Sequence, residues 1–174
     1  MIRLKIEQVE YLNERTNEIY HIAGGVFSFE HSLKSISTWE SLYQKPFLTT
    51  DEKTATELLD YFIIMCTKEI DPRLLTNKYQ ERLVEYIGSN PTATTIKTPE
   101  KGGSKSVLTS EVIYAMMVEA NVPFECDKWN IRRLLMLLSV ISVRQNPKKM
   151  SVNEIYKQNT DLNKQRKEKY KSRG

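Results

Sequence analysis

The sequence lacks the paired cysteines and histidines that disulfide frameworks and metal sites require. It has two cysteines, Cys66 and Cys126, which stand far apart in apolar helical surroundings without a CxxC pair. The two histidines, His21 and His31, add no spacing that is typical of a zinc site. We therefore expect reduced, buried thiols, no bound metal and no cofactor.

Long apolar runs and phosphate-binding glycine loops are also missing. The strongest apolar run, residues 134–143, reaches only about half the length that a membrane-spanning helix needs. Residues 1–12 alternate charged with apolar side chains, unlike a secretory signal. The glycine pairs at 24–25 and 102–103 lack the residues that complete a nucleotide-binding loop. These absences predict a chain without a membrane span, an export signal or a phosphate cradle.

No arrangement of acidic or nucleophilic residues indicates catalysis. Carboxylates such as Glu57 and Glu81 fall at helical positions that are typical of solvated faces. His31 lies between Glu30 and Ser32, but neighbours in a strand do not supply the oriented partners that a catalytic triad needs. The sequence therefore predicts a protein that is not an enzyme, with His31 in a capping or packing role.

The first thirty residues carry the alternation of a small β-sheet. Ile2, Leu4 and Ile6 alternate with charged residues, and apolar residues return after a turn-like segment at 13–17. A third strand is predicted around 26–29, after the glycine pair. Two or three antiparallel strands are marginal alone, so this sheet must pack on a layer of helices.

Helical spacing of apolar residues dominates the rest of the chain. Ser37 with Glu40 and Thr49 with Glu52 fit capping boxes, and Asp127 is a candidate N-cap. The predicted helices lie near residues 33–43, 51–69, 75–87, 112–120, 129–141 and 151–156. The fold class is therefore α+β, mainly α, with a small N-terminal antiparallel hairpin or sheet packed on a bundle of about five to six helices.

One domain and a basic tail account for the length of the chain. We divide it into the β part at 1–32, a helical body at 33–156 with an exposed loop at 88–108, and a helical or disordered tail at 157–174. Residues 144–174 hold ten Lys or Arg against three Asp or Glu, so the net charge of +4 belongs to this end. Candidate polyanion contacts are Lys164, Arg166, Lys167, Lys169, Lys171 and Arg173.

An ordered set of short strings resembles the tail assembly chaperones of tailed bacteriophages. In that family a strand reading EHS leads into a helix reading SISKWES and then KPFL. The corresponding strings here are Glu30-His31-Ser32, residues 35–41 with Thr38 in place of the usual lysine, and residues 45–48. Further similarity, in the same order, lies at Thr92–Thr95, Pro123–Cys126, Trp129, Arg133–Leu135 and Leu162-Asn163.

The resemblance implies a non-catalytic assembly factor in the host cytoplasm that is absent from the mature virion. Such a protein binds the long helical tape-measure protein, keeps its apolar segments from aggregating, and helps to recruit tail-tube subunits. A homo-oligomer is compatible with this role. Two alternatives remain open: a nucleic-acid-binding module that uses the basic tail, which charge alone favours weakly, and a structural tail or neck protein of the virion.

A client helix could lay its apolar face into a groove between chaperone helices. Such a groove needs exposed apolar residues, and a short segment stopped by Pro46 is a place where they could remain uncovered. Methionines can adapt to varied apolar partners, although core packing explains them equally. The candidate partner-binding residues are Trp39, Tyr43, Phe47, Met116 and Met117.

Overall fold

The computed structural model describes residues 1–13, 15, 17–94, 107–145 and 160. The chain divides into two compact units, Met1–Val140 and Ile141–Gly174. In the described part of the chain, no helix combines the length and the apolar character needed to cross a bilayer. The predicted helix at 151–156 lies outside the described residues, as do the basic tail apart from Thr160 and most of the loop at 88–108.

Four strands form two antiparallel pairs at the N-terminus. They are β1 (Ile2–Ile6), β2 (Val9–Asn13), β3 (Glu18–Ile22) and β4 (Gly25–Phe29). β1 pairs with β4, and β2 pairs with β3, so the two pairs are nested along one long hairpin. The predicted hairpin and third strand are confirmed, but the single strand expected before the turn is two strands.

Gly24 lies at the junction of the two strand pairs, between β3 and β4. A Cβ atom at this position would lie 2.3 Å from the carbonyl oxygen of Ile6 and 2.6 Å from the backbone nitrogen of Gln8, so only glycine fits the close approach of the two chains. On one side of Gly24, β3 is exposed along nearly its whole length. On the other side, Phe27 and Phe29 of β4 are buried. The β1–β4 pair therefore belongs to the core, and the β2–β3 pair does not.

Between the strands and residue 145, the described residues form five helices, which confirm the predicted class, α+β and mainly α. They are α1 (Leu33–Tyr43), α2 (Ala55–Met65), α3 (Asn77–Gly88), α4 (Ser110–Glu119) and α5 (Ile131–Gln145). Short 3₁₀ turns at Pro72–Leu74 and Phe124–Lys128 precede α3 and α5. The described helices thus match five of the predicted ones in order and approximate position.

The helix starts differ from the predicted capping boxes. Ser32, rather than Ser37, caps α1, because its side chain accepts a hydrogen bond from the Ser35 nitrogen at 3.2 Å. A complete capping box is present at the start of α2, but Thr54 and Glu57 form it instead of Thr49 and Glu52. Asp127 lies within the second 3₁₀ turn and does not cap α5.

The core lies where the end of β4 meets the helices. Glu30 donates its backbone N–H to the carbonyl of Met65 at 3.0 Å, and Ile131 donates to the carbonyl of His31 at 2.8 Å, so this short segment bridges α2 and α5. Of the two free thiols, Cys126 is buried as expected, whereas Cys66 is only half-buried. The largest fully buried side chains are Trp39, Tyr61, Phe29, Phe62, Leu4 and Ile6.

Candidate functional site

Three of the five predicted partner-binding residues are buried. Trp39 and Met117 have no exposed surface and Phe47 has 6%, so the expectation that these three residues are exposed to a client is wrong, although Phe47 borders the smaller cavity described below. After Pro46 the chain folds back over α1, and the Phe47 ring packs 5.0 Å from the ring of Trp39 and 4.1 Å from that of Tyr61. The proline thus closes the aromatic cluster instead of leaving it uncovered.

The other two predicted residues remain at the surface on separate helices. Tyr43, at the end of α1, is half-buried, and the hydrogen bond from its hydroxyl to Asp60 raises the pKa of Tyr43 to about 12. Met116 is 41% exposed on α4, where Val112 is also exposed. The six basic residues proposed to contact polyanions, between Lys164 and Arg173, lie outside the described residues.

Glu40, within the second string of the resemblance, joins two distant parts of the backbone. Its buried carboxylate accepts hydrogen bonds from the backbone nitrogens of Phe47 and Ser110, each at 2.7 Å. These contacts hold the turn after α1 and the start of α4 against one another. Because both acceptor oxygens are occupied, Glu40 has a structural role that a hydrophobic residue could not take.

His31, in the first string, is a packing residue, as predicted. Its Nδ1 lies 2.5 Å from the hydroxyl oxygen of Tyr61, and 3% of the residue is exposed. Burial, assisted by the nearby charge of Arg132, lowers the pKa of His31 to about 4. The imidazole is therefore neutral near pH 7 and packs in the core.

Glu30 completes this polar framework. Its Oε1 accepts hydrogen bonds from the Tyr86 hydroxyl at 2.6 Å and from the Asn130 side chain at 3.2 Å. Burial and the bond to Glu30 raise the pKa of Tyr86 to about 12. The string Glu30-His31-Ser32 thus ties β4 to α2, α3 and the start of α5.

Glu57, which was expected on a solvated face, is also part of the framework. The residue is buried, and one carboxylate oxygen accepts a hydrogen bond from the Thr54 nitrogen at 2.9 Å. Its other oxygen pairs with the ammonium of Lys45, and the contact with Lys45 lowers the pKa of the carboxyl. The helix-surface interpretation failed here because the turn containing Lys45 covers this end of α2.

A groove between α2 and α3 is the best-formed concave surface that exposes apolar side chains. It consists of two adjoining cavities of about 480 and 410 Å³, which share Leu58 and Val84. Val84 is 51% exposed, and Leu48 and Ile87 extend the apolar floor. We call this surface the α2–α3 groove; its defining residues are Leu48, Lys53, Leu58, Glu81, Val84, Glu85, Ile87 and Arg132.

The two halves of the α2–α3 groove carry opposite charges. Glu81 and Glu85 line the larger cavity, whereas Lys53 and Arg132 line the smaller one. Lys53 lies with its ammonium 4.6 Å from the centre of the Phe47 ring, and burial lowers the pKa of Lys53. Within the described ranges, none of these four charges has an oppositely charged group within 4.0 Å.

Sequence reasoning missed the α2–α3 groove because its residues come from four distant segments. Val84 falls outside the face of α3 formed by Tyr79, Leu83 and Ile87. A single exposed apolar residue is common and indicates no contact by itself. Val84 gains significance only beside Leu58 and Leu48, which the fold brings next to it.

A second apolar surface surrounds Trp129, which is 42% exposed and has the guanidinium of Arg133 5.5 Å from its ring centre. A cavity of about 430 Å³ here is lined by residues 91–94 and by Met136, Leu137 and Val140. This cavity brings residues 92–94 close to Trp129 and Arg133, which belong to separate strings of the resemblance. A third surface is the β2–β3 pair, which exposes Tyr11, Leu12, Ile19 and Tyr20.

Of these surfaces, the α2–α3 groove combines an apolar floor with four charges that form no salt bridge within the described residues, which suits it to a complementary polypeptide better than to a small polar substrate. Helices form the rims of this groove, and the backbone groups of a helix are already hydrogen-bonded. An occupant must therefore satisfy its backbone hydrogen bonds internally. Comparisons of the chain with protein-family models, with curated proteins and with solved structures found no significant match.

Proposed function

We propose that this protein is a tail assembly chaperone of a tailed bacteriophage, which binds the tape-measure protein and assists assembly of the tail tube around it. The observation that carries the proposal is the ordered series of strings at 30–48, 92–95, 123–135 and 162–163. Their common order is more specific than any single string, because short strings recur by chance.

The positions of these strings support a shared framework. Glu30, His31 and Glu40 each have buried hydrogen-bond partners on other elements, so substitutions there would disturb the fold. Because substitutions at framework residues are costly, these residues are the ones that stay similar between distantly related proteins. The first two strings therefore argue for a common architecture and do not identify where the client binds.

The α2–α3 groove is the surface that best fits a helical client. It follows α3 from Asn77 to Ile87, which corresponds to about 15 Å, or roughly three turns of a partner helix. A contact of this length is weak alone, and several chaperone molecules along one client would act together. Weak individual contacts also allow tube subunits to displace the chaperone one site at a time.

Co-expression with the tape-measure protein tests the proposal. The client should stay in the soluble fraction with this chain and should copurify with it, because its apolar helical faces are covered. An unrelated protein of similar size and charge is the control. Equal aggregation of the tape-measure protein in both cases would contradict the proposal.

The basic end of the chain makes nucleic-acid binding the second candidate, and the same experiment separates the two. A chain truncated after Leu162 lacks the six candidate polyanion contacts. The chaperone hypothesis expects both forms to retain the client. Recovery of nucleic acid alone, by the full-length form alone and with strong salt dependence, would favour the second candidate.

A further inference from the structure

We propose that the α2–α3 groove binds an amphipathic α-helix of its partner that runs antiparallel to α3, with an acidic first turn against Lys53 and Arg132 and a basic last turn against Glu81 and Glu85. The inference rests on the proposed function for the identity of the partner as a helical client. The orientation and charge pattern follow from the groove itself.

The apolar floor determines that the occupant has one apolar face. Leu58 and Val84 lie at the junction of the two cavities, with Leu48 and Ile87 at one side of it. Val84 is half-exposed, beside the exposed carboxylates Glu81 and Glu85. Covering these side chains removes apolar surface from water, which is the main source of affinity in helix-in-groove binding.

A helix fits this groove better than an extended strand. Apart from His31, which follows β4 and whose carbonyl is bound by Ile131, the lining residues belong to α2, α3, α5 and the segment between α1 and α2, so the groove offers no strand edge with free N–H and C=O groups. A strand would leave its own backbone groups without partners on this surface, whereas a helix satisfies them internally.

The charges at the two ends of the groove determine the direction in which the bound helix runs. Glu81 and Glu85 lie in the half that begins at Asn77, and Lys53 and Arg132 lie in the half that contains Ile87. Helices usually carry acidic residues in the first turn and basic residues in the last. Such a helix pairs with all four charges only when it runs from the Ile87 end to the Asn77 end, which is antiparallel to α3.

Two labelled peptides of about twelve residues test the charge pattern of the occupant. Both carry the same leucine stripe and the same internal staple, which equalises their helicity. The first has an acidic first turn and a basic last turn, and its twin has acidic residues in both turns, so that in either direction one end of the twin meets a groove end of like charge. Fluorescence anisotropy with the full-length chain should show roughly tenfold tighter binding of the first peptide, since its four weak charge pairs form together. A nitroxide on the first turn of this peptide tests the direction: it should broaden backbone NMR signals at the Ile87 end of α3 more than at the Asn77 end, and the reverse pattern would overturn the antiparallel direction.

Variants of exposed residues assign the preference to the groove. The double substitution Glu81→Lys with Glu85→Lys should remove or invert the preference between the twins. Val84→Asp should weaken binding of both peptides, while Val118→Asp, a matched exposed valine on α4, should change neither. Circular dichroism confirms that each variant is folded before binding is measured.

Three results would overturn the inference: equal affinity for the twins, a preference that persists after Glu81→Lys with Glu85→Lys, and equal losses in Val84→Asp and Val118→Asp. Self-association that Val84→Asp abolishes would assign the groove to a second copy and would also overturn it.

The co-expression test separates this inference from the proposed function. If the wild-type chain keeps the tape-measure protein soluble and Val84→Asp does so equally well, the groove inference fails and the function stands. If the twins bind with the expected preference while the tape-measure protein aggregates, the function fails and the groove inference stands.

Discussion

The charged side chains in the segment from Glu30 to Leu48 and those in the α2–α3 groove differ in how many bonding partners they have within the chain. In the segment, Glu30 and Glu40 each accept at least two hydrogen bonds from other elements. In the groove, Lys53 and Glu81 form no salt bridge within 4.0 Å among the residues that the structure describes, although Asp51 and Glu57 lie near enough to attract Lys53. The segment is complete within the chain, whereas the groove has charges and apolar surface that another molecule could satisfy.

This difference separates the residues that hold the fold from those that could meet a partner. In the strings at 30–32, 35–41 and 45–48, half of the residues are buried and three, Thr38, Ser41 and Lys45, are exposed, so packing accounts for most of these residues. An interaction surface is instead expected where packing gives no account of the side chains present. The following predictions test this division, beginning with the largest expected change in the free energy of unfolding.

Trp39→Ala should destabilise the protein by about 4 kcal/mol, because it empties a fully buried site and removes the bond from the indole N–H to the Glu57 carbonyl. Trp129→Ala is the matched control, since Trp129 is 42% exposed, and should cost no more than about 1 kcal/mol. Urea denaturation measures both. Equal losses of stability in the two variants would contradict the distinction between framework and surface residues.

Glu40→Ala should cost about 3 kcal/mol, because it leaves the buried backbone nitrogens of Phe47 and Ser110 without their acceptor. Glu81→Ala, which removes an exposed groove carboxylate, should change the free energy of unfolding by less than about 0.5 kcal/mol. Denaturation curves of the two variants should therefore separate widely, and overlapping curves would count against the role assigned to Glu40.

Acidification should weaken the fold through His31. The pKa of His31 is lowered to about 4 in the folded chain, so between pH 6.5 and pH 4 the unfolded chain binds a proton that the folded chain does not. This contribution is absent well above pH 6.5 and grows as the pH falls. We expect a loss of about 1 kcal/mol between about pH 7 and pH 5.5.

The control for this pH effect is His31→Gln, which removes the titrating group but retains exposed His21. Its free energy of unfolding should depend less on pH over the same interval, whatever its absolute stability. Identical pH slopes in the two proteins would show that His31 is not the group responsible.

Val84→Asp should destabilise the protein only slightly, by less than about 1 kcal/mol, because Val84 is half-exposed and the repulsion of the added charge by Glu81 and Glu85 is weak at the surface. Its effect on partner binding should nevertheless be large. Thermal denaturation and client pull-down measured on one preparation check both statements. A variant that unfolds, or one that binds normally, would remove the basis for the groove.

The fold class was predictable because its signals are local. Alternation at Ile2, Leu4 and Ile6 and the helical spacing in 51–69 each specify an element from neighbours in sequence. The helix starts were less predictable, since Thr49-x-x-Glu52 and Thr54-x-x-Glu57 fit the same capping pattern. The choice between them depends on the turn around Lys45, which packs against Glu57.

The candidate site could not be predicted because exposure is decided by the whole fold. Phe47 is buried because its backbone nitrogen is bound by Glu40 and its ring meets Tyr61, a residue fourteen positions further along the chain. Conversely, the groove joins residues from Leu48 to Arg132, and no periodicity connects them.

The most direct test of the central claim is co-expression of the tape-measure protein with the wild-type chain, with Val84→Asp and with Val118→Asp. We predict soluble, copurifying client with the wild-type chain and Val118→Asp, and aggregated client with Val84→Asp. Client that aggregates with all three chains would contradict the chaperone function, and client that stays soluble with all three would contradict the role of the groove.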